Sequence, residues 1–558
     1  MKKKKVSNRK NQPPPLRFKF SDLFNSDYRL ITLLLIVLPL LVYAQMYDFE
    51  LLWDDGQESV GGHLSNTFVA NPSWTNLGKL FSESFFAMYV PVSYLFWGIL
   101  KFLAELFSLS VNSVLHLSNV AVHIANGLLV FVILKQFITN RWAVLVGVLF
   151  FLLHPIQVEA VAWVSEFRGL LAVLFSLISL YFYLKNQAKF LFLSLAFFVL
   201  AVLSKPSAVS LVLFVLVINY FHYGFKLGKN IEKTLPYALI ALMTVLIAYE
   251  VQSNYDLNTA QYNIAVWQRP FAWLDSIVFY FYKIIYPYHL SASYTLSPKF
   301  ISAQWWFYPV ALLPLGLGYW LWLRRKSQPL IVLAAALFVA GFFTTSGFVD
   351  FGFQRYSLVT DRYLYLAMIG AALFVATMLA KTDKKYWHGL VVSVLVVFTT
   401  LSAFRQVPIW QTETTLWSHA VNYEIVPNYA HENLSVYFNK KANALSSAGE
   451  YKQALAYFDK AIKLYPKYKT KNLSTTIYNK GISFLQQKKY QQALENFDQA
   501  MSIVLDHADA HNAKIYLLVG LSQCQQAQQA VAVARQNKVK IRANYLSSFQ
   551  AQCVSQKR

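Results

Sequence analysis

The sequence predicts an all-α protein in two parts, a polytopic bundle of membrane-spanning helices followed by an α-solenoid. Three observations predict it. The 558 residues are 56% hydrophobic and 17% aromatic but only 14% charged, which is too apolar for one soluble core and calls for lipid as a second solvent. Apolar runs of spanning length recur from residue 30 to about 404, each able to satisfy its backbone hydrogen bonds internally across ~30 Å of hydrocarbon. After residue 405 the long apolar runs stop, and amphipathic, internally repeated helical sequence replaces them.

Leu30 to Tyr47 carries no charge and reads as the first span. Its basic start and Val42-Tyr43-Ala44 resemble a cleaved signal peptide, but the length of the run and the spans behind it favour a retained helix. Comparable runs lie at 169–184, 206–225, 300–323, 329–349, 363–380 and 386–404, with shorter ones near 88–107, 111–134, 142–164, 190–204, 235–249 and 270–287. Together they predict roughly 11–13 spans. The formal charge of +23 does not point to nucleic acid, because the cations gather beside spans and in the C-terminal third. Lys2 to Lys5, Arg9, Lys10, Arg17 and Lys19 outnumber Asp22 and Asp27, so the positive-inside rule puts the N-terminus in the cytoplasm. The loop after the first span then lies outside. Arg324-Arg325-Lys326 and Lys381, Lys384 and Lys385 read as cytoplasmic, which places residues from about 406 on the outer side. Between 135 and 300 the bias contradicts itself, with Lys226, Lys229 and Lys233 preferring one parity and later spans the other. A re-entrant segment is expected there. The domains are accordingly a basic tail at 1–28, a membrane domain at 29–405 with an outer loop at 48–87, and an extracytoplasmic domain at 406–558.

In the C-terminal part, Gly449, Tyr451, Ala454, Phe458, Ala461 and Pro466 sit at the small-residue, aromatic and helix-stop offsets of a tetratricopeptide helix pair. Gly481, Tyr490, Ala493, Leu494, Phe497 and Ala500 repeat the pattern, the excess residues looping out between Pro466 and Gly481. A degenerate pair over His511 to Asn537 and a leading cap over Trp417 to Tyr437 complete the ~3 units that such a stack needs. Its concave face would take an extended segment of another protein; an inert stabilising cap is the alternative. With only Cys524 and Cys553 present, no disulfide framework and no thiolate metal site are expected.

The candidate chemistry is concentrated in a few polar clusters. Asp54 and Asp55 sit just beyond the first span, in a loop that also holds Glu50, Glu58, His63, Asn66, Trp74 and Glu83. A carboxylate shielded from water at the interface can accept a proton from a hydroxyl; the bland alternative is a solvated loop with an N-cap Asp. Adjacent residues on a helix diverge in direction, so one would act while the other orients or binds a cation. His154-Pro155 through Glu159, with Glu166 and Arg168, puts ionisable groups inside an apolar region, where they normally pair or face a cavity. His154 and Glu159 are candidates for hydrogen bonds to substrate, and Arg168 for an anion, against a structural Glu-Arg pair. Lys205 in Ser204-Lys205-Pro206, Arg355, Arg362 and Tyr363 are further substrate-binding candidates, the cations as phosphate ligands.

Taken in order, Trp53-Asp54-Asp55, His154-Pro155 through Trp163-Val164 and Arg168, Ser204-Lys205-Pro206, Asp361-Arg362-Tyr363-Leu364-Tyr365-Leu366 and Trp417 to Leu434 before the repeats resemble the transmembrane-and-tetratricopeptide protein O-mannosyltransferases and their bacterial relatives. These belong to the C-type glycosyltransferase superfamily. The resemblance covers nearly the whole chain and implies a membrane helix bundle of the C-type glycosyltransferase kind. It also implies transfer of a sugar, mannose in the first instance, from a polyprenyl-phosphate carrier to a Ser or Thr hydroxyl of a protein, with inversion and with Asp54 or Asp55 as general base. No nucleotide sugar is needed, and a divalent cation is optional. Gly56-Gln57-Glu58 after the acidic pair, Gly169 where many relatives carry an acid, and Ala367 where a Pro is usual depart from the pattern. The Lys-Pro segment favours a bacterial inner membrane over an endoplasmic reticulum membrane with lumenal repeats. The rival readings are a non-enzymatic tetratricopeptide scaffold, for which so many spans are excessive, and a lipid-linked glycan ligase, whose late outer loop should hold more than His289 and Lys299.

Overall fold

The computed structural model describes residues 18–56, 62–224, 226–253, 264–348, 352–382, 385–426, 428–465 and 471–554. The basic residues of 1–17, Glu58, Lys384 and Pro466 lie outside them. Among the described residues the chain is helical throughout, with no strand beyond one isolated bridge between Phe85 and Met88. It forms two compact units, Met1–Leu416 and Trp417–Arg558. The division falls later than the end of the apolar runs because the segment after the last of them is held to the first unit. The Glu50 N–H donates to the Gln411 carbonyl at 3.0 Å, and the Trp53 N–H to Glu413 Oε1 at 3.3 Å.

The first unit is built from α1 (Arg29–Tyr43), α2 (Trp74–Ser82), α3 (Pro91–Leu106), α4 (Val111–Leu134), α5 (Arg141–Leu153), α6 (Val158–Ala162), α7 (Phe167–Leu184), α8 (Ala188–Ser204), α9 (Leu211–Tyr223), α10 (Leu227–Ser253), α11 (Arg269–Ile285), α12 (Leu312–Arg324), α13 (Pro329–Phe342), α14 (Met368–Ala380) and α15 (Lys385–Leu401). Among the described residues, six helical stretches are long and apolar enough to cross a membrane: Ser26–Asp48, Val111–Leu134, Val164–Leu184, Pro206–Tyr223, Gly228–Ser253 and Gly389–Trp410. This is fewer than the 11–13 that apolar runs alone predict. Proline accounts for part of the difference. At Pro155 the chain turns by 49° between α5 and the segment Pro155–Ala162, since proline has no N–H for the helical ladder and its ring crowds the preceding turn. That bent pair is a broken span or a re-entrant loop, and it falls in the region where the charge bias contradicts itself. Ala188–Ser204, Pro329–Thr345 and Met368–Ala380 are apolar but short.

Buried polar groups tie the bundle together. His123 on α4 pairs through Nδ1 with the Tyr365 hydroxyl at 2.8 Å and through Nε2 with the Leu152 carbonyl of α5 at 3.0 Å. Asn126, one turn on, donates to the Leu170 carbonyl of α7 and to the Tyr365 hydroxyl. Among lipid-facing helices such bonds substitute for the missing hydrophobic drive.

The second unit contains three helix pairs, α16 (Tyr429–Ser447) with α17 (Tyr451–Leu464), α18 (Lys471–Gln486) with α19 (Tyr490–Ile503), and α20 (Ala508–Gly520) with α21 (Cys524–Gln536), then α22 (Ala543–Phe549). Gly449, Lys488 and Ser522, with φ of 81°, 60° and 55°, make the left-handed turns inside the pairs. Phe458 packs on Ala442 and Ala454, and Phe497 fills the space that Gly481 leaves, where a Cβ would meet its ring at 2.8 Å. The cap leading into the stack is Glu424, which accepts the backbone N–H groups of Asn428 and Ala430 and pairs with the His431 ring at 2.9 Å. These are the orphan donors of the α16 N-terminus. Cys524 and Cys553 form a disulfide with Cα atoms 5.1 Å apart, correcting the expectation of no disulfide support. The chain beyond α22 folds back on α21 and brings together two sulfurs that are 29 residues apart in sequence.

Candidate functional site

The loop after α1 is shaped by its backbone. The His63 N–H donates to the Asp54 carbonyl and the Leu64 N–H to the Asp55 carbonyl, both at 2.9 Å, so residues 54–55 and 63–64 run side by side. Gly62 makes the approach possible: a Cβ there would lie 2.5 Å from the Gly56 backbone and 2.6 Å from the Asp54 carbonyl oxygen. Trp53, just before the pair, has φ of 58°, a left-handed conformation that is strained for a bulky residue. It is held there by stacking on Trp163, with centroids 4.3 Å apart and planes at 8°, and by the Arg362 guanidinium over both rings.

The two aspartates differ sharply. Asp55 is 1% exposed and both oxygens are used: Oδ1 accepts the Ser165 N–H at 2.8 Å and its hydroxyl at 2.5 Å, and Oδ2 accepts the Leu52 N–H at 2.9 Å. It pins the loop to the turn that opens α7. Asp54 keeps 20% side-chain exposure, with Oδ2 3.6 Å from His63 Nε2. Its Oδ1 has no hydrogen-bond partner among the described residues. Burial pushes Asp55 up to about 7, reinforced by the neighbouring Asp54 charge. Burial also raises Asp54, but His63 and the Arg168 charge outweigh it and hold that carboxyl below its ordinary value. Two carboxyls pushed apart in this way differ in role. At neutral pH Asp54 is the ionised one, and its unpartnered oxygen is buried.

Behind the loop the candidate ions form a chain. Glu166 accepts from Lys205 Nζ on both oxygens, at 2.8 and 2.7 Å, and lies 3.7 Å from Arg362 Nε. Arg362 also pairs with Glu159 through its Nη1, and the Arg362 N–H donates to the second Glu159 oxygen at 3.1 Å. Glu159 therefore holds the turn at Asp361–Leu364 in place, as an internal pair rather than an open substrate contact. His154 is fully buried with both ring nitrogens used, Nδ1 accepting the Ile156 N–H and Nε2 pairing with the Ile284 carbonyl. It caps the turn after α5. Arg168 differs from the other cations. Its Nε donates to the Ser165 carbonyl at 2.7 Å and its Nη1 contacts Met88 Sδ at 2.8 Å, and no carboxylate pairs with it among the described residues. The side chain of Arg355 lies over the Tyr356 ring and keeps a buried Nε without a hydrogen-bond partner among the described residues.

Lys205, Glu166, Arg362 and Tyr363 line a cavity of about 50 Å3 whose other walls include Gly169, Ala172, Ser176, Ala208, Gly341 and Thr344. Asp54, Asp55, His154, Glu159, Arg168 and Arg355 are not among its lining residues. A Cβ at Gly169 would lie 2.6 Å from Glu166 Oε2, so a larger residue there would make the end of that side chain shift. Among the described residues no cluster of three or more His, Cys, Asp and Glu could hold a metal ion. Sequence reasoning missed Ser165 and the role of His63, whose partners are set by the fold; the one available signal was a lone histidine in the acidic loop.

Comparison with known proteins bears on the second unit. Residues 435–468 match the family model of the tetratricopeptide repeat. The match spans much of α16 and all of α17, so the chain carries a tetratricopeptide repeat where its small and aromatic residues predict one. No curated protein and no solved structure matches the chain.

Proposed function

We propose that the chain is a membrane glycosyltransferase that moves a sugar, mannose in the first instance, from a polyprenyl-phosphate carrier to a Ser or Thr hydroxyl of a protein. The observation that carries this reading is the division of labour within the acidic pair. Asp55 is consumed by structure, while Asp54 is ionised, 20% exposed and has one buried oxygen unpartnered among the described residues, a shielded carboxylate of the kind a general base for a hydroxyl requires. The resemblance of the motif series supports it. In the reaction the hydroxyl oxygen bonds to the anomeric carbon, the bond from that carbon to phosphate breaks, and the carrier phosphate leaves. The hydroxyl proton passes to Asp54 Oδ1. Attack opposite the leaving group inverts the centre.

Arg168 and Arg355, which have no carboxylate partner among the described residues, are the cations best suited to the carrier phosphate. Lys205 and Arg362 become available only if phosphate displaces Glu166 or Glu159. The repeats would hold the protein acceptor. The Cys524–Cys553 disulfide favours an oxidising compartment for them, in line with the cytoplasmic N-terminus and outer repeats that the charge pattern predicts, at a bacterial inner membrane. The test is transfer of label from a panel of polyprenyl-phosphate sugars to Ser/Thr-rich polypeptides by the purified chain. Transfer from the mannosyl carrier is expected; label from none of the panel would overturn the reading.

A further inference from the structure

His63 is built into the site more firmly than a loop residue needs to be. Its ring is fully buried among Phe86, Trp97 and Tyr94, with centroids 4.7, 5.9 and 6.0 Å away. Nδ1 pairs with the Tyr94 hydroxyl at 2.8 Å. Nε2 has no hydrogen-bond partner among the described residues and faces Asp54 Oδ2 at 3.6 Å. The backbone bond from the His63 N–H to the Asp54 carbonyl fixes the two residues together, and Tyr94 anchors the ring to α3. A buried ring nitrogen left unpartnered costs stability, so a fold that keeps one aimed at a carboxylate has a use for it.

We propose that His63 is the positioning residue of Asp54. The Tyr94 O–H donates to Nδ1, which puts the imidazole proton on Nε2. That N–H closes onto Asp54 Oδ2 when acceptor and donor fill the site, as active-site hydrogen bonds commonly tighten in the working complex. With Oδ2 held, Oδ1 is turned to the acceptor hydroxyl and takes its proton. The ring stays neutral: burial, with the Arg168 charge, lowers His63 to about 4. The ionisable groups around the dyad are Asp55 in the loop, Glu166 and Arg168 at the start of α7, and Tyr94 on α3. His63, the Arg168 charge and the Ser165 hydroxyl all favour the ionised Asp54, and of these His63 is the group that faces its Oδ2.

The inference rests on the glycosyl-transfer reading for its catalytic part only, and two readouts separate the claims. The variants are His63→Gln, whose amide reaches Oδ2 with an N–H but does not titrate, and His63→Phe, which fills the aromatic cage without a donor. In sugar transfer, His63→Phe is expected to lower kcat roughly 100-fold with the KM for carrier little changed. The acid limb of its pH profile should move up by about one unit, because Asp54 loses a donor to its charged form. His63→Gln should recover at least about 10-fold of the loss and restore the acid limb. The second readout needs no activity. The Asp54 carboxylate is titrated by infrared difference spectroscopy on protein carrying carbon-13 aspartate, with Asp54→Asn to assign the band. The Asp54 midpoint is expected to rise in His63→Phe and return in His63→Gln. Equal behaviour of the two variants, or an unmoved Asp54 midpoint, overturns the assignment. A wild type that transfers no sugar but shows the shifted midpoint removes the glycosyl-transfer reading and the catalytic part while leaving His63 as the residue that holds Asp54.

Discussion

At the scale of single residues, the acidic pair shows how neighbours in sequence acquire different chemistry. The sequence places both aspartates beyond the first span and cannot choose between them, because nothing local separates them. The choice comes from Ser165, 110 residues away, whose N–H and hydroxyl occupy one oxygen of Asp55. His63 was illegible for a related reason: it meets Asp54 through a backbone pairing between residues that are not sequence neighbours. The lysine and arginine candidates were legible as residue types but not as partners, since which cation a glutamate neutralises depends on helix packing. A pH prediction follows for Asp55. Its carboxyl titrates near 4 when unfolded and at about 7 in the fold, so between these values the folded state holds a proton that the unfolded chain releases. Its contribution to stability is therefore greatest below about pH 4, declines as pH rises and is lost above about pH 7. Thermal unfolding in detergent should show this decline, and Asp55→Asn should flatten it.

At the scale of elements, helices were readable wherever apolar or repeat patterning is periodic, and their interruptions were not. Pro155 is visible in the sequence, but the 49° bend it permits also depends on His154 capping the turn that follows. In the second unit the small and aromatic offsets located the pairs, but the residues between Pro466 and Gly481 do not loop out as expected, because α18 already starts at Lys471; the disulfide came from a contact 29 residues apart in sequence. Glu424 accepts two backbone N–H groups of the α16 entry. Glu424→Ala should cost about 1–2 kcal/mol, read as faster hydrogen exchange in the first turn of α16. The Cys524–Cys553 bond closes a loop across a 29-residue separation. Its removal by Cys524→Ser should cost about 3 kcal/mol and loosen α21 and α22 first, with α16 and α17 unaffected. Unchanged exchange in α21 would mean that packing alone holds the cap.

At the scale of the whole molecule, composition made the class legible: a chain this apolar with a polar repeated tail is a membrane bundle joined to a solenoid. Counting apolar runs overstated the number of continuous spans, because a helix inside a bundle can break or stop short where its neighbours satisfy the exposed backbone. The proposed orientation, with the repeats outside, rests on the charge pattern and the disulfide. Protease added to intact spheroplasts should therefore remove a tag placed after residue 558; a protected tag would reverse the orientation. The central claim is that Asp54 serves as the base of a glycosyl transfer and Asp55 as the residue that holds its loop. The most direct measurement is single-turnover transfer of labelled mannose from polyprenyl-phosphate mannose, comparing wild type with Asp54→Asn and Asp55→Asn, each checked for carrier binding. The account predicts that Asp54→Asn binds carrier normally and loses transfer by about 100-fold or more, whereas Asp55→Asn keeps measurable transfer with reduced thermal stability. An Asp54→Asn protein that transfers at the wild-type rate would contradict it.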